Sequence, residues 1–267
     1  MEFFNIIIVH PIINILVAIY QGLLFLNIPY PLGFSIIGLT IVIRLVLYPL
    51  ISAQLRASKK MQDIAPHLSH LKETHKGDKK RIQEETMRLY KEHGVNPAAG
   101  CLPTLIQLPV IWGLYSVLNN IVHKNSTDLV NYVNGIVISP LRLEHAWETT
   151  FFTIPLGQSP SQLMSSMAAV ALAIPVITGA LQFLQTKMIF TNKPNKNKKN
   201  DDFATAFQTQ STYIFPAMIA FFSFTLPTGL SLYWNTFTIF GIIQQYKIMG
   251  LGGLSDLWQK INKSQKS

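Results

Sequence analysis

LGFSIIGLTIVIRLVLYPLISAQL, residues 32–55, decides the fold. A run of this length and apolarity can cross a membrane as a helix, since about 20 such residues span the hydrocarbon core. It carries a single formal charge, Arg44. In a straight helix at roughly 1.5 Å per residue, the guanidinium lies about 16–18 Å from either end, too deep to snorkel easily. A guanidinium at that depth costs about 3 kcal/mol on insertion scales and about 10 or more in simulations of isolated helices. The other apolar runs contain no Asp or Glu. The counter-charge must be water, or must arrive with a ligand.

Outward from this run the chain alternates apolar segments with basic blocks. Of its 267 residues 49% are hydrophobic and 13% charged, against about 25% charged in a soluble domain. This is the pattern of an all-α polytopic membrane protein. The net charge of +9 reads first as topology, with basic loops facing the cytoplasm and anionic lipid. Direct sequence-specific nucleic-acid binding is not expected. Cys101 is the only cysteine, so neither an intrachain disulfide nor a Cys-based metal site is expected. The N-terminus shows Glu2 and no early basic residue, unlike a signal or transit peptide. A bacterial cell membrane is the expected compartment.

The expected organisation is a five-helix transmembrane core with additions. Residues 1–29 read as an N-terminal interfacial helix, because His10, Pro11, Asn14, Gln21 and Gly22 interrupt an otherwise apolar run. Residues 30–56 are the first span, kinked at Pro49. Residues 57–96 form a cytosolic helical hairpin. From Arg56 to Asn96 there are ten Lys/Arg and six Asp/Glu, one narrow stripe of Met61, Ile64, Leu68 and Leu71, and a turn signal at Gly77-Asp78. Two thin helices bury little, so the hairpin is expected to be mobile. Residues 97–122 are the second span, 123–162 an extracytoplasmic loop and 163–190 the third span. Residues 191–206 are a cytosolic loop, 207–249 the fourth and fifth spans, and 250–267 a cytosolic tail. The positive-inside rule puts blocks 56–96, 187–199 and 247–266 inside, with the N-terminus outside and the C-terminus cytoplasmic. A spanning first helix would give six spans and an N-terminus inside.

Thr40 and Arg44 share a helix face at i and i+4. The spans also carry Gln107, Asn119, Gln182, Gln185, Trp234, Asn235, Gln244 and Gln245. Converging on Arg44, these would make a wet cationic cavity; separately, they would serve as interhelical hydrogen-bond partners. No His or acid accompanies the Ser and Thr of the spans, so an enzyme is not expected, nor a metal or other cofactor. A solute transporter or channel is the main rival reading, but it usually needs a coupling carboxylate.

The sequence resembles the YidC/Oxa membrane protein insertase family. The resemblance rests on Gly33-Phe34-Ser35-Ile36-Ile37, Arg44, Tyr48-Pro49-Leu50, the stretch Met87 to Pro97, and Gly100-Cys101-Leu102-Pro103. It continues through Leu105 to Val110, Gln185-Thr186-Lys187-Met188, and Pro227-Thr228-Gly229-Leu230-Ser231-Leu232-Tyr233-Trp234. It implies a groove open to cytoplasm and lipid but sealed outside, with an essential Arg at Arg44. Thr40, Tyr233, Trp234, Gln107 and one or other of Gln182 and Gln185 would line it. It implies nascent membrane proteins as substrates, membrane lipids as surroundings, and the Sec translocon and ribosome as candidate partners. The sequence resembles the short form of the family, so the large extracytoplasmic domain of many Gram-negative members is not expected, nor is strong tail-mediated ribosome binding.

Overall fold

The computed structural model describes residues 5–75, 77–94, 102–123, 126–189 and 210–255. They are mostly helical. Helix α1, Asn5–Phe25, opens with a π-helical turn over Asn5–Val9. It buries Ile12, Ile13, Leu16, Val17 and Tyr20. The chain then reverses through Asn27 and Tyr30, both left-handed at φ 53° and 55°. Asn enters that region readily; a tyrosine must be held there. Tyr30 is held by ring contacts to Phe151 and Phe152, with centroids 6.3 and 5.0 Å away.

Pro31 then starts α2, Pro31–Val46, with its fixed φ in the first turn. Helix α2 does not run on through the rest of the apolar stretch. It stops at Leu47, and α3, Tyr48–Thr74, departs at 63° between Pro31–Val46 and Tyr48–Ile64. The expected kink at Pro49 thus falls at Leu47. Pro49 has no N–H to give to the carbonyl four residues earlier, and it sits in the first turn of the new helix. Helix α3 therefore runs unbroken from the end of the apolar stretch into the first arm of the hairpin. Its turn is closed by Asp78, whose carboxylate accepts from the Arg81 N–H at 3.0 Å, with Gly77 at φ 97°. Helix α4, Lys79–Glu92, follows.

Helix α5 is Leu102–His123, and α6 is Ser126–Asn134. After them come a two-residue antiparallel ladder (β1, Thr150–Phe151; β2, Ile154–Pro155) and the short α7, Pro160–Leu163. Helix α8 is Ala168–Ile189. A π-turn over Gln210–Ile214 leads into α9, Phe215–Thr225, and α10 is Thr228–Met249.

Among the described residues, two helices are long and apolar enough to cross a membrane, α1 and α8. The bent pair of α2 with the start of α3 makes a third if taken as one broken span. Among the described residues, five equivalent spans are not seen. Helix α9 has 11 residues and continues the π-helical turn from Gln210, the first residue described there, and α10 carries Asn235, Gln244, Gln245 and Lys247. The expected spans 97–122 and 207–226 begin in residues outside those described. So do the loop 191–206, most of the tail, Cys101 and the motif's Val95-Asn96-Pro97.

The segment 126–163, expected only as a polar loop, is an ordered cap. Asn134 and Leu143 exchange two hydrogen bonds, at 2.7 and 2.9 Å. The Asn14 side chain accepts from the Ile138 N–H at 2.9 Å, and Gln21 donates to the Arg142 carbonyl at 3.1 Å. Tyr20 meets Trp147 at 5.5 Å between centroids and accepts from the Glu148 N–H. Two of the polar interruptions of α1, Asn14 and Gln21, are therefore docking points for the cap's backbone, which would otherwise be left unsatisfied. Phe151 presses on Gly33, where a Cβ would collide with its ring. At the other side of the cap, Thr228 and Gly229 donate backbone N–H groups to Gln158 and Leu156, both at 2.8 Å. The cap thereby closes over the starts of α2 and α10.

Candidate functional site

Helix α10 carries Ser231, Trp234, Thr238, Gly241 and Gln245 at spacings of three and four, hence on one face. Helix α8 packs along it and offers Thr178, Gln182 and Gln185 in the same spacing. Between them runs a polar seam. Ser223 of α9 donates to Thr178 at 3.1 Å and pairs with Ser231 at 2.8 Å. Thr238 donates to the Gln182 amide oxygen at 3.5 Å, and Gln245 to the Gln185 carbonyl at 3.3 Å. Gln244, one position round the helix, donates to Ser52 at 2.9 Å and to the Tyr48 carbonyl at 3.1 Å. From Ser231 to Gln245 the seam is about 21 Å long at 1.5 Å per residue.

Arg44 enters this seam from the last turn of α2. That position favours a cation, because unpaired helix carbonyls gather there. It is also next to the break at Leu47, so Arg44 is not at the middle of one straight helix as the sequence suggests. The side chain is 2% exposed. One Nη donates to the Phe237 carbonyl. The guanidinium carbon lies 3.4 Å above the centre of the Phe237 ring and 5.9 Å from that of Phe240. Desolvated contacts of this kind are worth about 2 kcal/mol each, and they are neutral partners, not a counter-charge. The satisfaction is incomplete: the Arg44 Nε is buried with no hydrogen-bond partner among the described residues.

Gly241 makes the seat possible. A Cβ there would collide with both the Gln185 amide nitrogen and the Arg44 guanidinium. Arg44 and Gln185 therefore converge on one point of α10. Tyr233 joins them through Phe237, against which its ring stacks at 5.9 Å. Gln182 lies farther along the seam, on Thr238. Thr40 is buried beside Arg44 in the sequence register, but its hydroxyl donates to its own helix, to Ile36 at 2.6 Å. Trp234 is buried on the seam face of α10. Gln107 lies in α5, and its side chain is outside the described residues.

Sequence reasoning missed Phe237, Phe240, Gly241 and Ser52. Gly241 had a readable signal, a glycine one turn after Phe237 and one heptad after Trp234. The aromatic pair had none, since aromatics are ordinary in such a helix.

The chain matches the family model described as 60Kd inner membrane protein over residues 24–252. It is 32% identical over 246 residues to the inner membrane protein ALBINO3, chloroplastic, of Arabidopsis thaliana, covering 90% of this chain and 51% of that one. It is 34% identical over 220 residues to the membrane protein insertase YidC of Fusobacterium nucleatum subsp. nucleatum, covering 82% and 87%. It is 32% identical over 222 residues to the membrane protein insertase MisCA of Bacillus subtilis, covering 82% and 70%. The chain thus spans about half the length of the chloroplast relatives, 51% for ALBINO3, and most of the Fusobacterium one. With a match that takes in the bent helix of Arg44, the cap and the whole polar seam, the chain belongs to the 60Kd inner membrane protein family, the YidC/Oxa family that its motifs resemble.

Proposed function

We propose that the chain is a membrane protein insertase that assists nascent membrane proteins into the bilayer and is not an enzyme. One observation carries the reading: a nearly fully buried guanidinium whose Nε has no partner among the described residues, in a chain 34% identical to a relative named as an insertase. The polar seam is the closed form of a hydrophilic groove. Arg44 attracts an acidic residue of the entering segment, and the low dielectric strengthens the attraction. Such a groove shortens the hydrocarbon barrier that the translocated segment faces, while the apolar segment moves sideways into lipid. In a cell negative inside, the membrane potential draws the acidic segment outward, at about 2.3 kcal/mol per charge per 100 mV.

In this reading the bent α2–α3 pair, α5, α8, α9 and α10 form a five-span core in a bacterial cell membrane. The ordered cap and α1, tied to it by Asn14 and Gln21, lie on the outer side. The hairpin of α3 and α4 and the C-terminus are cytoplasmic. Thr40, Tyr233, Trp234, Gln107, Gln182 and Gln185 line the opened groove. The Sec translocon and the ribosome are candidate partners.

The test is insertion of a single-span substrate with an acidic N-terminal tail, in cells depleted of their own insertase. Arg44→Lys should retain substantial insertion and Arg44→Ala should lose it. Normal insertion by Arg44→Ala sinks the charge-recruitment mechanism.

A further inference from the structure

The Arg44 seat contains an occupant of its own. In an α-helix the carbonyl of residue 237 already accepts the N–H of residue 241. Its second lone pair normally lies in the shadow of the side chain on the following turn. Here that residue is Gly241, and the Arg44 guanidinium occupies the space a Cβ would take. The same residue that gives its carbonyl also gives its ring face, 3.4 Å from the guanidinium carbon. Phe237 is thus a two-part ligand, and Gly241 is the opening through which it is reached.

This ligand is weak by design of its chemistry. A neutral carbonyl and a ring quadrupole hold a cation less strongly than a carboxylate, which takes two parallel N–H donors. They also leave Nε, one of the donors used in a side-on bidentate pair, without a partner among the described residues. The Gln185 amide nitrogen crowds the same opening, so a second donor faces any acceptor that enters. A carboxylate can therefore displace Phe237 and gain what the resting seat lacks, whereas an uncharged amide or hydroxyl offers little more than the carbonyl already there.

We infer that Phe237 and Gly241 form a resident placeholder for the Arg44 site, a positioning pair that keeps the cation satisfied between substrates and sets the threshold an entering acidic side chain must exceed. This rests on the role given to Arg44 above, but the seat itself is measurable without any substrate. The full chain in proteoliposomes is treated with phenylglyoxal, which modifies arginine, and the modified peptides are quantified by mass spectrometry. Exposed Arg142 of the cap is the internal reference. Phe237→Leu removes the ring and keeps the bulk. Gly241→Ala blocks the approach to the carbonyl. Each should accelerate modification of Arg44 by about thirtyfold relative to Arg142, the scale of a lost desolvated cation–π contact or charged hydrogen bond. Phe237→Tyr, which keeps the ring, should label as slowly as the unmodified chain. Equal Arg44 labelling in all four proteins overturns the inference, as does parallel acceleration of Arg142. If Arg44 is unmasked as expected and yet Arg44→Ala inserts substrates normally, the seat stands and the recruitment role falls.

Discussion

The side-chain amide of Gln244 donates to the hydroxyl of Ser52 at 2.9 Å. The bond ties α10 to the first turns of α3, directly after the break at Leu47, and the same amide also takes the Tyr48 carbonyl. Replacing Gln244 by Ala leaves the buried Ser52 hydroxyl and the part-buried Tyr48 carbonyl without this donor. We expect a loss of about 1–3 kcal/mol, read as a lower unfolding midpoint in detergent. Ser52→Ala removes only one partner and should cost less, about 1 kcal/mol. Equal midpoints for Gln244→Ala and the unmodified chain would show that the clamp carries no stability.

A second expectation concerns the cap. Gly33 has the Phe151 ring where its Cβ would be, so Gly33→Leu must push β1 away from α2. The cost of such overpacking is about 1–3 kcal/mol. The cap should become a protease target between residues 142 and 158, while Gly22→Ala, which has open space, should leave digestion unchanged.

The hydroxyl cluster of Thr178, Ser223 and Ser231 supplies a third. Interhelical hydrogen bonds of this kind average about 0.6 kcal/mol inside membranes. Ser223→Ala should therefore lower stability slightly, by about 0.6–1.7 kcal/mol, with no change in the Arg44 labelling rate. A double-mutant cycle of Ser223→Ala with Thr178→Val should show coupling, because the two oxygens are 3.1 Å apart.

Orientation is a fourth. With Cys101 replaced by Ser, a cysteine at Glu84 should react with an impermeant maleimide only after the membrane is opened. A cysteine at Glu144 should react in intact cells. The reverse pattern overturns the proposed topology.

Much of the helical layout follows from periodicity and from prolines. Pro31 at the start of α2 and Gly77-Asp78 at the hairpin turn have local chemistry that a reader of the sequence can use. The break at Leu47 is half legible. Pro49 announces an interruption, but a proline in the first turn of a new helix moves the bend upstream of itself. The cap was not legible, because it is built from backbone bonds to Asn14, Gln21 and Asn134, and nothing local distinguishes such residues from solvated ones. At the site, Arg44 stands out by charge alone. Its partners do not, since a carbonyl is present in every residue and only the missing Cβ of Gly241 makes that of Phe237 accessible.

Helix α3 is a 27-residue rod, about 40 Å long at 1.5 Å per residue, and it is pinned between its start and its middle. Besides Ser52, it is held where Gln62 donates to the carbonyl of Ile189, at the end of α8, and Ile64 is buried close by. The remainder, with Pro66 and the turn to α4, extends beyond the last pin. Force on the outer hairpin is therefore delivered as torque to two points, Gln244 of α10 and Ile189 of α8. Those helices carry Gly241 and Gln185, the two walls of the Arg44 seat. A chain handled by the hairpin would pull on the walls of the chamber before any part of it reached the charge inside.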